Sequence, residues 1–124
     1  MTENPRPRQE RRREPRLLCA DMIEVKVEDK PKHWRRFQAN LEEISPSGAR
    51  FEVDSPIRVG ASVRLICPEF QVSGTVRHCT FRETGSFVGV EFHEGEKWSR
   101  ARFWPKHLTD PRTAKARPVR GKSA

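Results

Sequence analysis

The stretch EISPSGARFEV, residues 43–53, predicts two β-strands joined by a tight turn. Ser45, Pro46 and Gly48 fit the first, second and fourth positions of a type I turn, where the glycine is free to adopt a positive φ. After the turn, apolar and polar residues alternate, as they do in a strand with one buried face. The apolar positions there are Ala49, Phe51 and Val53. We expect the rigid turn to hold Glu43 and Ser45 in fixed places at the end of a strand.

The same alternation recurs in five further segments of the chain. Their apolar positions are Ile23, Val25 and Val27; Phe37, Ala39 and Leu41; Val63, Leu65 and Cys67; Phe70, Val72 and Val76; and Val88, Val90 and Phe92. Residues 83–86 have the composition of a hairpin turn between the last two segments. Six short strands separated by turns are typical of an antiparallel sandwich or a small barrel. We therefore predict an all-β fold.

The apolar pattern changes phase just before the quoted turn. Leu41 shares the parity of the apolar residues before it, whereas Ile44 has the opposite parity. A β-bulge, which places one extra residue in a strand, restores the buried face after such a change. We therefore predict a bulge at Glu42–Glu43, and bulges are frequent at barrel rims beside binding sites.

The two ends of the chain differ from the strand-rich part in composition. Residues 1–9 and 105–124 are rich in proline and charge and are predicted to be disordered basic tails. Residues 10–104 then form one domain, which suits a length of 124 residues. Residues 96–104 lack glycine and proline and stop before Pro105, which predicts a short C-terminal helix.

The net charge of +8 resides in the ends of the chain. Residues 1–16 carry six arginines against three acidic residues, and residues 97–124 carry nine basic residues against one. Residues 17–96 carry ten basic residues against thirteen acidic ones. The strand-rich part is therefore not a uniformly basic face for nucleic acid, although the tails could bind it in a salt-sensitive, sequence-blind manner.

Cysteine usage and the absence of targeting signals predict the compartment. Cys19, Cys67 and Cys79 are an odd number at wide spacings, which fits neither a disulfide framework nor a zinc site and favours a reducing compartment. The N-terminus has no apolar segment of a signal peptide, and no apolar run approaches the roughly 20 residues that span a bilayer. We expect a soluble, cytoplasmic protein.

An arginine-rich arm, residues 10–16, precedes the first predicted strand. Pro15 keeps Glu14 out of the α region, so the arm is extended or turning. In an extended chain, side chains four residues apart point the same way, so Arg12 and Arg16 can present two guanidinium groups to one object. Such groups match phosphates and the O6/N7 edge of guanine. The alternative is a solvated basic segment in front of the domain.

Two motifs in this order resemble the PilZ domain family, whose members are bacterial six-stranded β-barrel receptors for cyclic di-GMP. The motifs are Arg-x-x-x-Arg at residues 12–16 and acid-x-Ser-x-x-Gly at residues 43–48. The segments VGASVRL (59–65) and VGVEF (88–92) follow in the family's order. The resemblance implies a small six-stranded antiparallel β-barrel over residues 10–104.

The resemblance also implies roles for individual residues. In the family the two arginines grip the phosphates and guanines of the ligand, so Arg12 and Arg16 would form this clamp. Ser45 would contact a guanine or a phosphate, and Gly48 would shape the turn. A basic residue at the position of Arg11 tends to accompany a stacked pair of ligands in the family.

Glu43 departs from the family pattern, which normally has Asp or Asn there. Its carboxylate still accepts the two hydrogen bonds that the N1–H and N2–H groups of guanine offer. The extra methylene displaces the carboxylate by about 1.5 Å. Glu43 therefore either reaches guanine through an adjusted backbone or overshoots toward phosphate, where like charges repel. Arg50, outward-facing by parity, is either a further ligand contact or a solvated strand residue.

Other chemistry finds no support in the sequence. His78 and Cys79 are adjacent, so on a strand they face opposite sides and cannot chelate one metal ion. Ser45 and Ser47 have no histidine at a spacing that would make it their base, and no glycine-rich nucleotide fingerprint occurs. We expect no enzyme, no metal site and no bound cofactor.

The predicted function is that of a cyclic di-GMP receptor whose N-terminal arm becomes ordered on ligand binding and signals to a partner protein. The alternative is a degenerate PilZ-like barrel that binds no nucleotide and acts as a protein-interaction adaptor.

Overall fold

The computed structural model describes residues 14–114, and within them six strands form a closed antiparallel barrel. The strands are β1 (Leu17–Lys30), β2 (His33–Ser45), β3 (Gly48–Val53), β4 (Ser62–Cys67), β5 (Phe70–Arg82) and β6 (Gly85–Phe92). Their order around the barrel is β1-β2-β3-β6-β5-β4. The prediction of an all-β, six-stranded barrel is confirmed. The predicted N-terminal tail, most of the arm and the last ten residues of the predicted C-terminal tail lie outside the described residues.

The alternating apolar residues point into the barrel and form its core. Every apolar position predicted from the period of two is buried except Phe37 and Ala49, which are partly buried and pack against the same core. The most enclosed side chains include Leu41 of β2, Phe51 of β3 and Leu65 of β4. Because every second residue points inward, the intervening residues, which are mostly polar, lie on the outer surface, where a binding site can form.

The predicted β-bulge is present in β2. Leu41 pairs with Phe51, but the next pair is Glu43 with Arg50, so Glu42 is the extra residue. This shift returns Ile44 to the interior, where it is fully buried. A second bulge lies in β5 between Val76 and His78.

The predicted helix over residues 96–104 is wrong, because this segment consists of turns and irregular backbone. Both of its large apolar anchors are buried: Trp98 donates from Nε1 to the carbonyl oxygen of Phe103 at 2.8 Å, and the Phe103 ring stacks on Phe70. Residues five apart lie about 140° apart around an α-helix, so a helix would turn one of these rings away from the barrel. The irregular backbone lets both rings pack on it.

The prediction of a tail from residue 105 onward is wrong for residues 105–110, which we call the strap. Thr109 and Leu18 exchange two backbone hydrogen bonds, with N–O distances of 2.7 and 2.8 Å. The strap can pair here because β4 pairs only with Glu24–Glu28 of β1. The edge of β1 that faces β4 is therefore not paired with β4 near the beginning of the strand. A single helical turn, α1 (Pro111–Ala114), follows the strap. Within residues 14–114, no helix has the length and hydropathy needed to cross a membrane.

Candidate functional site

The β2–β3 turn lies at one end of the barrel and is held by backbone hydrogen bonds from two later segments. The carbonyl oxygen of Pro46 accepts a bond from Trp98 N at 3.0 Å, and that of Ser47 accepts one from Phe92 N at 2.8 Å. Neither turn residue has a positive φ, as a type I turn requires. The turn is therefore a fixed element of the structure.

Gly48 occupies its position for a reason other than the one expected. Its φ is not positive, but a Cβ atom placed on it would lie 2.6 Å from the carbonyl oxygen of Val90 in β6. Glycine is required there because two strands approach closely at the site. Ser45 is buried and donates from Oγ to the carbonyl oxygen of Gly48 at 3.3 Å, so its hydroxyl closes the turn.

A cleft of about 720 Å³ opens beside this turn, on the outer face of β3, β6 and β5. Its volume lies in the range that small-molecule sites occupy. The cleft brings together five of the residues predicted from the sequence: Arg16, Glu43, Ser45, Gly48 and Arg50. Arg11 and Arg12 lie outside the described residues.

Arg50 faces two carboxylates across the strand pair. Its Nη1 lies 3.5 Å from Oε1 of Glu43, and its Nε lies 3.6 Å from Oε1 of Glu42. Burial raises the pKa of Glu42, with Glu52 and Glu43 acting in the same direction and Arg50 opposing them. Arg50 is therefore paired with acidic residues and is not simply a solvated strand residue, and Glu43 is drawn toward the strand surface.

Glu14 and Ser47 belong to the site although the sequence did not single them out. Oγ of Ser47 donates to Oε1 of Glu14 at 2.5 Å, which joins the arm to the turn. Both residues line the cleft. One feature of the sequence could have indicated Glu14. It lies two residues from both Arg12 and Arg16, and alternate residues of an extended chain share a face.

An aromatic surface forms the opposite wall of the cleft. His78 pairs with Gly89 across β5 and β6, and a Cβ on Gly89 would lie 2.6 Å from Nε2 of His78, so the imidazole lies over the glycine. Beside it, the guanidinium of Arg82 lies 5.6 Å from the centre of the Phe87 ring. Such a surface can stack on a planar ligand base. This surface could not be predicted from the sequence, because the bulge in β5 determines which residue faces Gly89.

Positive and negative side chains are balanced in the cleft. The basic lining residues are Arg16, Arg50, Arg77 and Arg82, and the acidic ones are Glu14, Glu42, Glu43 and Glu91. Arg77 binds Glu91 with a distance of 2.8 Å from Nε to Oε1. A ligand that combines anionic groups for the guanidiniums with N–H donors for the carboxylates would match this lining, and a nucleotide has both.

Two of the three cysteines have buried thiols. Burial, followed by the charge of Asp21, raises the pKa of both Cys19 and Cys67 to about 12, so these thiols stay protonated and unreactive. Cys79 is partly buried and packs against the core, on the face opposite His78. In the described part of the chain, no group of three or more His, Cys, Asp or Glu residues could hold a metal ion.

Comparison with protein families gives one result that bears on this site. The family model described as PilZ domain matches residues 10–103, which include the arm, the turn and the whole barrel. Comparison with curated proteins gives no match.

Proposed function

This chain belongs to the PilZ domain family, whose model matches most of its length, and we propose that it is a cytoplasmic receptor for cyclic di-GMP. PilZ domains generally bind cyclic di-GMP and are binding domains, not enzymes. The observation that carries the proposal is the convergence of Arg16, Glu43, Ser45 and Gly48 on one cleft beside the fixed turn.

Each residue has a chemical role in this proposal. Arg12 and Arg16 bind the phosphates through charge-assisted hydrogen bonds, which are shorter and stronger than neutral ones. Glu43 accepts the N1–H and N2–H groups of a guanine, and Ser45 supports the same edge. Arg11 is a candidate for a second, stacked ligand. These assignments follow the family pattern applied to the positions of this chain.

The pairing of Glu43 with Arg50 supports the proposal despite the longer side chain. The carboxylate contacts Arg50 of the paired strand β3, so its position is set by a protein contact and not by the reach of a free side chain. The Arg50 side chain is 45% exposed and 3.5 Å away. The Glu43 side chain is only 20% exposed, so guanine can replace Arg50 as its partner only if the N1–H and N2–H groups of the base donate to the carboxylate in its place. Arg50 is then available to the ligand as well.

The proposed signal is a change in the order of the arm. Two phosphates neutralise the arginines of the arm, which then folds over the ligand and creates a new surface beside the turn. No bond is made or broken in this mechanism, and a partner protein recognises the new surface. The free energy of the change comes from the difference in ligand affinity between the two arm conformations.

A second candidate function is that of an adaptor that binds a protein and no nucleotide. The observation that favours it is the charge balance of the cleft, where Arg50 and Arg77 already contact carboxylates. A ligand with two phosphates must compete with these internal partners. If the competition fails, the barrel surface remains available for a protein partner.

Isothermal titration calorimetry with cyclic di-GMP, at two salt concentrations, tests the proposal. We expect saturable binding by the wild type, weakened by roughly 1–3 kcal/mol in Arg12→Ala and in Arg16→Ala, the value of a bidentate charged contact. Arg36→Ala is the matched control, because Arg36 contacts Glu24 on β1 and does not line the cleft.

The outcomes of this titration separate the candidate functions. If the wild type has a normal melting transition but gives no heat of binding, the result supports the adaptor function. Equal affinity in the wild type and both arm variants contradicts the proposed site. An equal loss in Arg36→Ala shows that only the overall charge matters.

A further inference from the structure

The contact between Glu14 and Ser47 joins two residues whose identity the family motifs leave unspecified. It is a 2.5 Å hydrogen bond between a carboxylate of the arm and a hydroxyl of the turn. Charge-assisted hydrogen bonds of this length are among the stronger ones in proteins. We propose that Glu14 is a positioning residue that docks the base of the arm on the turn. The proposal rests on the proposed function for its effect on affinity.

Ser47 is a suitable anchor because it cannot move far. Its carbonyl oxygen is held by Phe92 N in β6, and the carbonyl oxygen of the preceding residue is held by Trp98 N. The backbone that carries the Ser47 hydroxyl is therefore held by both β6 and the segment that contains Trp98. A mobile serine on an open loop would transmit no position to the arm.

Glu14 is placed to set the direction of Arg16. It lies two residues from Arg16, and Pro15 restricts its backbone to extended conformations. Because residues two apart in an extended chain share a face, fixing Glu14 orients Arg16 toward the same cleft. Arg16 already lines the cleft that Glu14 lines.

The contact also explains how the clamp tolerates an acidic residue between its two arginines. An uncommitted carboxylate there would compete with the ligand phosphates for the guanidiniums. The hydrogen bond commits the carboxylate of Glu14 to the turn. With Glu14 and Arg16 held in place, less conformational entropy is lost when the ligand binds.

Ser47→Ala, Ser47→Thr and Glu14→Ala test this device with two readouts. In calorimetry with cyclic di-GMP, we expect the Kd to rise about tenfold in Ser47→Ala and in Glu14→Ala. The double variant should bind no more weakly than either single variant, because both lose the same contact. Ser47→Thr keeps the hydroxyl and should bind like the wild type.

The second readout needs no ligand. Limited proteolysis with trypsin, at the bond after Arg16, should be several-fold faster in Ser47→Ala than in the wild type and in Ser47→Thr. Ser55→Ala is the matched control, because Ser55 lies in the β3–β4 connection at the other end of the barrel. If the wild type fails to bind the nucleotide, the proposed function fails while the proteolysis still tests the anchor.

Three results would overturn the inference. They are additive losses of affinity in the double variant, tighter binding in Ser47→Ala, and unchanged proteolysis in a Ser47→Ala protein with a wild-type melting temperature. Tighter binding would mean that the contact holds the arm away from the ligand.

Discussion

Gly48→Ala tests the reasoning about close strand approach at the site. The new Cβ would lie 2.6 Å from the carbonyl oxygen of Val90, whereas ordinary contact begins at 3.4 Å, so the two atoms must separate by about 0.8 Å. The oxygen belongs to the backbone of β6 and the Cβ is bonded directly to the backbone of β3, and the spacing of these paired strands is fixed by hydrogen bonds at about 4.8 Å. Forcing an extra methyl group into such a place costs about 1–3 kcal/mol.

Gly89→Ala is the matched control, because its Cβ would also meet an atom at 2.6 Å. That atom is Nε2 of His78, the end of an exposed side chain that can rotate away. The free energy of unfolding should therefore change by less than about 1 kcal/mol, with part of the cost offset by the smaller entropy of the unfolded chain.

Thermal unfolding followed by circular dichroism compares the two variants. At about 4–8 °C per kcal/mol for a domain of this size, Gly48→Ala should lower the Tm by roughly 5–20 °C, and Gly89→Ala by only a few degrees. A Gly48→Ala protein that melts with the wild type, or a larger loss in Gly89→Ala, would refute the reasoning.

Four further predictions concern the strap, the thiols and Glu43. Ending the chain after Trp104 should lower the Tm by several degrees because the strap is lost, whereas ending it after Arg112 should not; equal Tm values would show that the strap contributes nothing. In the native protein at pH 8, DTNB should label at most Cys79, and full denaturation should release three thiols; three rapid thiols in the native state would contradict the burial. Because the two buried thiols have pKa values raised to about 12 while unfolded cysteines ionise near pH 9, the free energy of unfolding should fall between pH 9 and 12, measured by urea titration. Glu43→Ala should weaken cyclic di-GMP binding by about 1–3 kcal/mol, because a guanine donor pair loses its acceptor; tighter binding in both Glu43→Ala and Glu43→Asp would favour the overshooting carboxylate.

The features predicted correctly from the sequence are those that depend on local periodicity. The change of parity between Leu41 and Ile44 locates the bulge without any knowledge of neighbouring strands, since each residue of a strand faces one side or the other. The alternation of six segments likewise specifies the core. The turn at Pro46 follows from the backbone preference of proline.

The features missed by the sequence depend on contacts between distant segments. The hydrogen bonds of the strap to Leu18 use backbone groups alone, so the composition of the strap does not record them. Trp98 and Phe103 both pack on the barrel, and this tertiary packing overrides the helical preference of their segment. The overlay of His78 on Gly89 depends on a bulge that the pattern of β5 does not specify.

The pairing of Leu18 with Thr109 brings the entry and the exit of the barrel together. Residues that exchange two backbone bonds in this way have Cα atoms about 5.5 Å apart. A domain whose two connection points adjoin can be placed within a loop of another protein without stretching that loop. The N-terminal connection lies beside the cleft, which Arg16 lines, so a host protein joined there would be connected to the domain next to its proposed ligand site.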